Sequence, residues 1–419
     1  MDSGNTAWVL ASAALVLFMT PGLAFFYGGM VRSKNVLGML MQNFFSMGLV
    51  SVLWALVAFS LAFGEDSGGL IGDLSFAGLK DLADLGLSLP GYTDDLALTI
   101  PPLAFAAYQM MFAVITPALI TGATADRLKF AAYVAFIALW LVLVYAPVAH
   151  WVFSPNGWLF ERGALDFAGG TVVHINAGAA ALALVLVLGK RRGWPGEAMP
   201  PHSLPLTLLG TGILWFGWFG FNAGSALAAN GVAAKALMNT HLAAAAAMLG
   251  WLVVEKLKDG KATTLGAASG AVAGLVAITP CAGFVSGVTP VIIGAIAGAA
   301  CLLAIQFKFR MGYDDSLDVV AVHLVGGMVG SILLGVFAQE SFGGLLAGGG
   351  SDLLIDQVVA VVATLVYSFV VSTVLAKVLD AVIGLRVTPE EEAEGLDSSQ
   401  HAEAGYNLGE LGSMGRIGA

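Results

Sequence analysis

Charge is scarce in this chain. Of its 419 residues, 11% are Asp, Glu, Lys or Arg and 58% are hydrophobic, against about 25% and about 45–50% in soluble domains. That balance excludes an ordinary water-soluble enzyme. Cysteine is nearly absent: Cys281 and Cys301 both fall in apolar segments, at the expected opposite ends of neighbouring helices, which argues against a disulfide framework. No positively charged leader precedes the first apolar run, which is longer than a signal-peptide core; it reads as a retained membrane helix. There is no HExxH motif and no readable nucleophile and base pair, so an intramembrane hydrolase is disfavoured and no enzyme is expected. The net charge of −10 comes from acids concentrated in the 64–99 segment and after residue 386. It describes extramembrane pieces and points to no nucleic-acid partner.

What the chain has is apolar runs of membrane length. A hydrocarbon core roughly 30 Å thick needs about 20 residues of helix, and such runs recur around 7–30, 36–63, 100–122, 129–151, 168–189, 205–228, 237–256, 262–281, 286–305, 318–338 and 354–384. The expected fold is therefore an all-α polytopic membrane protein of 11 transmembrane helices. Lys and Arg accumulate in short cytoplasmic loops. One alternating set of loops holds twelve basic residues, from Arg32 and Lys34 through Lys308 and Arg310, and the other holds only Lys80, Arg162 and Lys235. With an odd count this predicts the N-terminus outside and the C-terminus inside. No polar linker interrupts residues 7–384, so one membrane domain (1–385) and a cytoplasmic C-terminal tail (386–419) are expected. The tail reads as a solvated terminus, with helix expected where "PEEEAEGL" opens on proline and early acids.

Two spans share a pattern. In "DFAGGTVVH" Asp166 precedes His174 by eight residues, and in "DSLDVVAVH" Asp315 precedes His323 by eight. "FYGGMVRSKN" and "FNAGSALAAN" echo each other in the first and sixth spans. Spans one to five and six to ten thus read as an inverted repeat plus an eleventh helix, which places a site near the midplane. Eight helical residues rise about 12 Å, so both imidazoles are expected mid-membrane and Asp166 cannot touch His174. Intramembrane ionisable groups face cavities, pair with one another or mark a route for ions or protons. His174 and His323 therefore read either as interhelical glue or as a hydrogen-bonded pair lining a pore, largely neutral because burial disfavours the charged form. Asp166 reads as a helix cap or as part of cation recruitment. No third ligand accompanies the histidines, so no metal and no cofactor are expected.

Together with "QMMFAVITPALITGATADRLKF", "WFGFNAGSALAAN", "DDSLDVVAVHLVGG" and the tail "EEEAEGLDSSQHAEAGY", these motifs make nearly the whole chain resemble the ammonium transporters, the Amt/Mep/Rh family, and within it the bacterial Amt branch. The resemblance implies twin pore histidines at His174 and His323 and a stacked phenylalanine gate at Phe112 and Phe221. It also implies ammonium recruitment at an outer vestibule by Phe112, Ser225, Phe153 and Tyr108, with Asp166 behind. A cation over an aromatic face gains about 0.5–2 kcal/mol. Two departures stand out. Phe153 occupies the place where the family usually has tryptophan, which weakens the vestibule unless Trp151 or Trp158 substitutes, and Leu324 follows His323 where glycine is frequent.

The expected function is an ammonium transporter or channel that binds ammonium, deprotonates it and conducts ammonia through a hydrophobic pore, with or without separate proton transfer. The alternatives are an ammonium sensor with little conduction and a proton-coupled transporter of another small solute. The resemblance further implies a homotrimer in the inner (plasma) membrane, with a PII-type signal protein as a partner at the cytoplasmic face and tail.

Overall fold

The computed structural model describes residues 1–84 and 86–406; the remainder of the expected tail, 407–419, lies outside the described residues. Helices form where the apolar runs are, because in hydrocarbon a backbone must satisfy its own hydrogen bonds. Among the described residues, ten are long and apolar enough to cross a membrane: α1 (Ser3–Met30), α2 (Ser33–Phe63), α3 (Pro102–Thr124), α4 (Phe130–Arg162), α5 (Gly170–Leu188), α6 (Leu204–Ala226), α7 (Gly231–Asp259), α9 (Thr289–Met311), α10 (Val320–Phe337) and α11 (Asp352–Ile383). A shorter apolar helix, α8 (Thr264–Ile278), stands between α7 and α9. Its apolar run continues to 281, but Pro280 has no N–H to donate and the helix ends before it. α4 is interrupted at 154–157. Among the described residues there is no strand beyond two isolated bridges.

Small residues set how closely the helices pack. α1 and α6 lie against each other with Gly22 facing Ile213 and Gly210 facing Phe26, so that a side chain at either position would collide. α3 and α5 are the innermost spans, each with 83% of its apolar window buried inside the protein. α11 closes the bundle with two unlike faces. Val358, Val362, Val366, Val370, Val374 and Val378 recur every fourth residue as an exposed apolar stripe, the surface a lipid-facing helix presents. On its other face Trp140 donates to Ser372 Oγ at 3.0 Å and Ser368 donates to Asn176 O at 2.8 Å, holding α11 against α4 and α5.

After α11 the chain turns back along the same end of the bundle. Thr388 caps a short helix, α12 (Pro389–Glu394), in a reciprocal capping box with Glu391. α13 (Leu396–His401) follows, and its Asp397 accepts from Gly38 N at 2.8 Å. The expected partial helix in the tail is thus present and packed on the body.

Candidate functional site: a cavity above a buried histidine pair

α5 and α10 each begin in a wide π-type turn, Gly170–Ile175 and Val320–Val325, a local geometry that often accompanies functional sites. Each turn is capped by the aspartate eight residues before its histidine. Asp166 accepts from Gly169 N and Gly170 N at 2.7 Å and from Thr171 N at 2.8 Å, and the Thr171 hydroxyl also donates to it. Asp315 accepts from Val319 N at 3.1 Å and Val320 N at 2.7 Å. Burial pushes the Asp166 carboxyl above its usual range, against the opposing pull of Thr171 and the backbone donors. Of the two roles left open for Asp166, capping is what its contacts display. The carboxylate also borders the cavity described below.

The two histidines meet. His174 Nδ1 lies 3.2 Å from His323 Nδ1, the ring planes are within 18° of parallel with the rings edge to edge, and both residues are buried. An Nδ1 to Nδ1 contact requires one donor and one acceptor, so the pair carries at least one lone pair at its centre. What lets the rings approach is a glycine four residues after each histidine. A side chain at Gly178 would stand 2.7 Å from Leu324 Cα, and one at Gly327 would stand 3.2 Å from His174 Cβ. The helices therefore cross at their backbones just beyond the imidazoles. These glycines, in "HINAG" and "HLVGG", are a signal readable in the sequence beside the Asp-to-His spacing. Trp218 is another neighbour that sequence reasoning missed: it stacks on His174 at 5.5 Å and 16°, and its indole N–H is tied to Thr279. It opens the motif "WFGFNAGSALAAN", one helical turn before Phe221, which is the signal that could have found it.

Above the pair, the Phe112 and Phe221 rings are 4.4 Å apart and tilted by 41°, with Phe221 also 6.1 Å from the His174 ring. Beyond this stack opens a cavity of about 220 Å³ at the Asp166 end of the bundle. Its walls bring together Tyr108, Phe112, Phe153, Asp166 and Ser225. They also include Gln109, which the sequence reading passed over. Tyr108 OH donates toward Phe221 O at 2.8 Å and stands 3.1 Å from Ser225 Oγ, while Ser225 donates to Phe221 O at 2.9 Å. With its proton committed, the Ser225 oxygen is free to accept. Trp151 and Trp158 do not line the cavity. The Trp151 N–H is held by Leu70 O at 2.8 Å, and the two indoles pack on each other at 5.8 Å. Neither takes the place of Phe153.

Among the described residues no three His, Cys, Asp or Glu side chains gather as a metal ion would require. Cys281 and Cys301 are buried and unpaired.

A helical bundle of membrane-length spans, with an aromatic cavity above a buried histidine pair, defines a multi-pass membrane protein. Comparison with known proteins makes the class specific. The family model described as Ammonium Transporter Family matches residues 7–406. An ammonium transporter of Mycobacterium tuberculosis is 53% identical, the alignment covering 97% of this chain and 91% of that one. Among solved structures, Saccharomyces cerevisiae Mep2 aligns with a TM-score of 0.85 at 35% identity, over 93% of this chain and 88% of that one. A sensor Amt protein aligns with a TM-score of 0.87 at 34% identity, over 95% and 98%. The chain belongs to the ammonium transporter family.

Proposed function

We propose that this protein moves ammonium nitrogen across the inner (plasma) membrane through a pore centred on His174 and His323. The observation that carries the reading is the vertical order of the site: an aromatic cavity, a phenylalanine stack, then a histidine pair at 3.2 Å. Ammonium enters the cavity, where Phe112, Phe153 and Tyr108 offer aromatic faces and Ser225 Oγ accepts one of its hydrogen bonds. Above the Phe112 and Phe221 stack, where hydration is stripped, it gives its proton to cavity water, and that proton either stays on the outer side or crosses separately along the histidine pair. Ammonia then crosses past the imidazoles, which replace water as hydrogen-bonding partners. Potassium neither donates hydrogen bonds nor sheds a proton, so it must pay its dehydration in full.

In this reading α8 completes eleven spans arranged as two inverted sets of five plus α11. The cavity faces outward with the N-terminus, and the basic loops and the tail face the cytoplasm. Residues 1–385 form the transporting domain and 386–419 the tail. Three copies assemble with one pore each, and a PII-type signal protein engages the cytoplasmic face. The protein carries out no covalent conversion of its substrate beyond the proton transfer.

The test is reconstitution in proteoliposomes, recording ammonium-evoked current and ammonia uptake for the wild type and His174→Ala. Saturable uptake by the wild type, with current or ammonium-over-potassium selectivity lost in the variant, is the expected outcome. Binding without transport by the wild type would favour a sensor, and an unaltered, fully selective current in the variant would remove the histidines from the path.

A further inference from the structure

His150 lies inside α4, one turn before Phe153, and its side chain is wholly buried. Both of its ring nitrogens face oxygen. Nδ1 is 2.9 Å from Ala62 O at the end of α2, and Nε2 is 2.9 Å from Asp66 Oδ1 in the loop that follows. A carbonyl only accepts. Asp66 Oδ1 in addition accepts from Gly69 N at 2.7 Å, as a carboxylate does. A neutral imidazole has one N–H and one lone pair, so opposite an ionised Asp66 one of the two contacts would set a lone pair against an acceptor oxygen. We infer that His150 carries both ring protons, forms a buried imidazolium and carboxylate pair with Asp66, and serves as a positioning residue for the cavity through Phe153.

The connection to the cavity is short. His150 O accepts from Ser154 N, which ends the helix immediately after Phe153. The loop carrying Asp66 is fastened to the same stretch at two more points, Trp151 Nε1 to Leu70 O and Trp158 N to Gly69 O at 3.1 Å. Tyr92 OH donates to Phe153 O at 2.9 Å. Remove one proton from the pair and one contact of His150 turns repulsive, so the turn bearing Phe153 loses one of its anchors, to α2 or to the loop. Electrostatics supply a second constraint. A lone imidazolium near a cation vestibule would oppose ammonium entry, and Asp66 cancels that charge at contact distance.

The consequence for transport rests on reading the cavity as the ammonium site, whereas the protonation state does not. Nitrogen-15 NMR of histidine-labelled protein at neutral pH, with His150 assigned by its absence in His150→Gln, is expected to show both ring nitrogens protonated. A neutral tautomer overturns the pair. In proteoliposomes, Asp66→Asn is expected to raise the half-saturating ammonium concentration about tenfold with the maximal rate largely kept, and Asp66→Glu to restore most of the loss. An unchanged half-saturation in Asp66→Asn overturns the positioning role. Absence of saturable ammonium transport in the wild type removes the proposed function instead, and leaves the NMR result to decide the pair.

Discussion

At the scale of single residues, Phe153 carries the clearest consequence. It lines the cavity with Phe112 and Tyr108, and the two nearby tryptophans are turned to other partners. Its ring offers a weaker cation-binding face than an indole would. Phe153→Trp is therefore expected to strengthen ammonium binding by about 0.5–1 kcal/mol, a two- to fivefold drop in the half-saturating concentration. A concentration series of ammonium-evoked currents checks it. An unchanged or higher value would mean that the ring does not face the bound cation. This residue shows how far sequence reading reaches: motif position was enough to bring Phe153 to the cavity, but whether Trp151 or Trp158 could stand in depended on side-chain direction near an interrupted helix. Composition has no access to that.

At the scale of elements, the apolar runs are legible because length and hydrophobicity decide a span, and eight residues between aspartate and histidine are legible because they repeat. The shape of the helix that carries each histidine is not. A run that is apolar on all sides has no 3.6-residue pattern to register, so the π-type turns at Gly170–Ile175 and Val320–Val325 leave no trace in it. The tie of Trp218 to Thr279 is equally out of reach, since the two lie 61 residues apart. The crossing of α5 and α10 gives this scale its prediction. Gly178 is packed on the Leu324 backbone, where an added methyl would meet the main-chain nitrogen at 2.4 Å, whereas at Gly327 the nearest main-chain atom, Gly170 O, is 2.9 Å away and the side-chain neighbours stand at 3.0–3.2 Å. Gly178→Ala must drive the helices apart and open the 3.2 Å histidine contact past hydrogen-bonding range. Uptake is expected to fall roughly a hundredfold, and Gly327→Ala, where the overlap with main chain is smaller, is expected to fall less. Proteoliposome uptake normalised to reconstituted protein measures both. Full uptake in Gly178→Ala would show that the contact is not part of the path.

At the scale of the whole molecule, the end of the bundle opposite the cavity is held by charges that the sequence reading used only to orient the chain. Arg191, after α5, is nearly buried and forks onto Asp314, before α10, with Nε at 2.9 Å and a terminal nitrogen at 2.8 Å, while its backbone N–H adds a third bond at 2.7 Å. Arg127, between α3 and α4, donates to the Ser316 hydroxyl at 2.8 Å, and Arg32 pairs with Asp126 at 3.0 Å. Asn35 joins this network to the tail by donating to Asp126 and accepting from Leu396 N at 2.8 Å. Glu392 adds Arg386 and the Arg192 backbone, each at 2.6 Å. The basic loops thus serve as clasps between parts of the fold distant in sequence, a use that counting positive residues cannot distinguish from simple orientation. Asp314 is the centre of that clasp. Burial by itself would raise its carboxyl, but the Arg191 fork and the Arg127 charge outweigh burial and hold it below the usual carboxylate range. A carboxylate whose folded value is depressed contributes stability above its unfolded value, about pH 4, and loses that contribution as the pH falls toward the folded value. Asp314→Asn leaves the nearly buried Arg191 guanidinium with only the longer Asp126 contact at 3.6 Å and is expected to cost about 3 kcal/mol at pH 7. The gap in thermal unfolding temperature between wild type and variant, measured in detergent across a pH series, is expected to be widest at neutral pH and to narrow below about pH 4. A gap that stays constant down to pH 3 would mean that shape, and not the charge on Asp314, is what the two loops require of it.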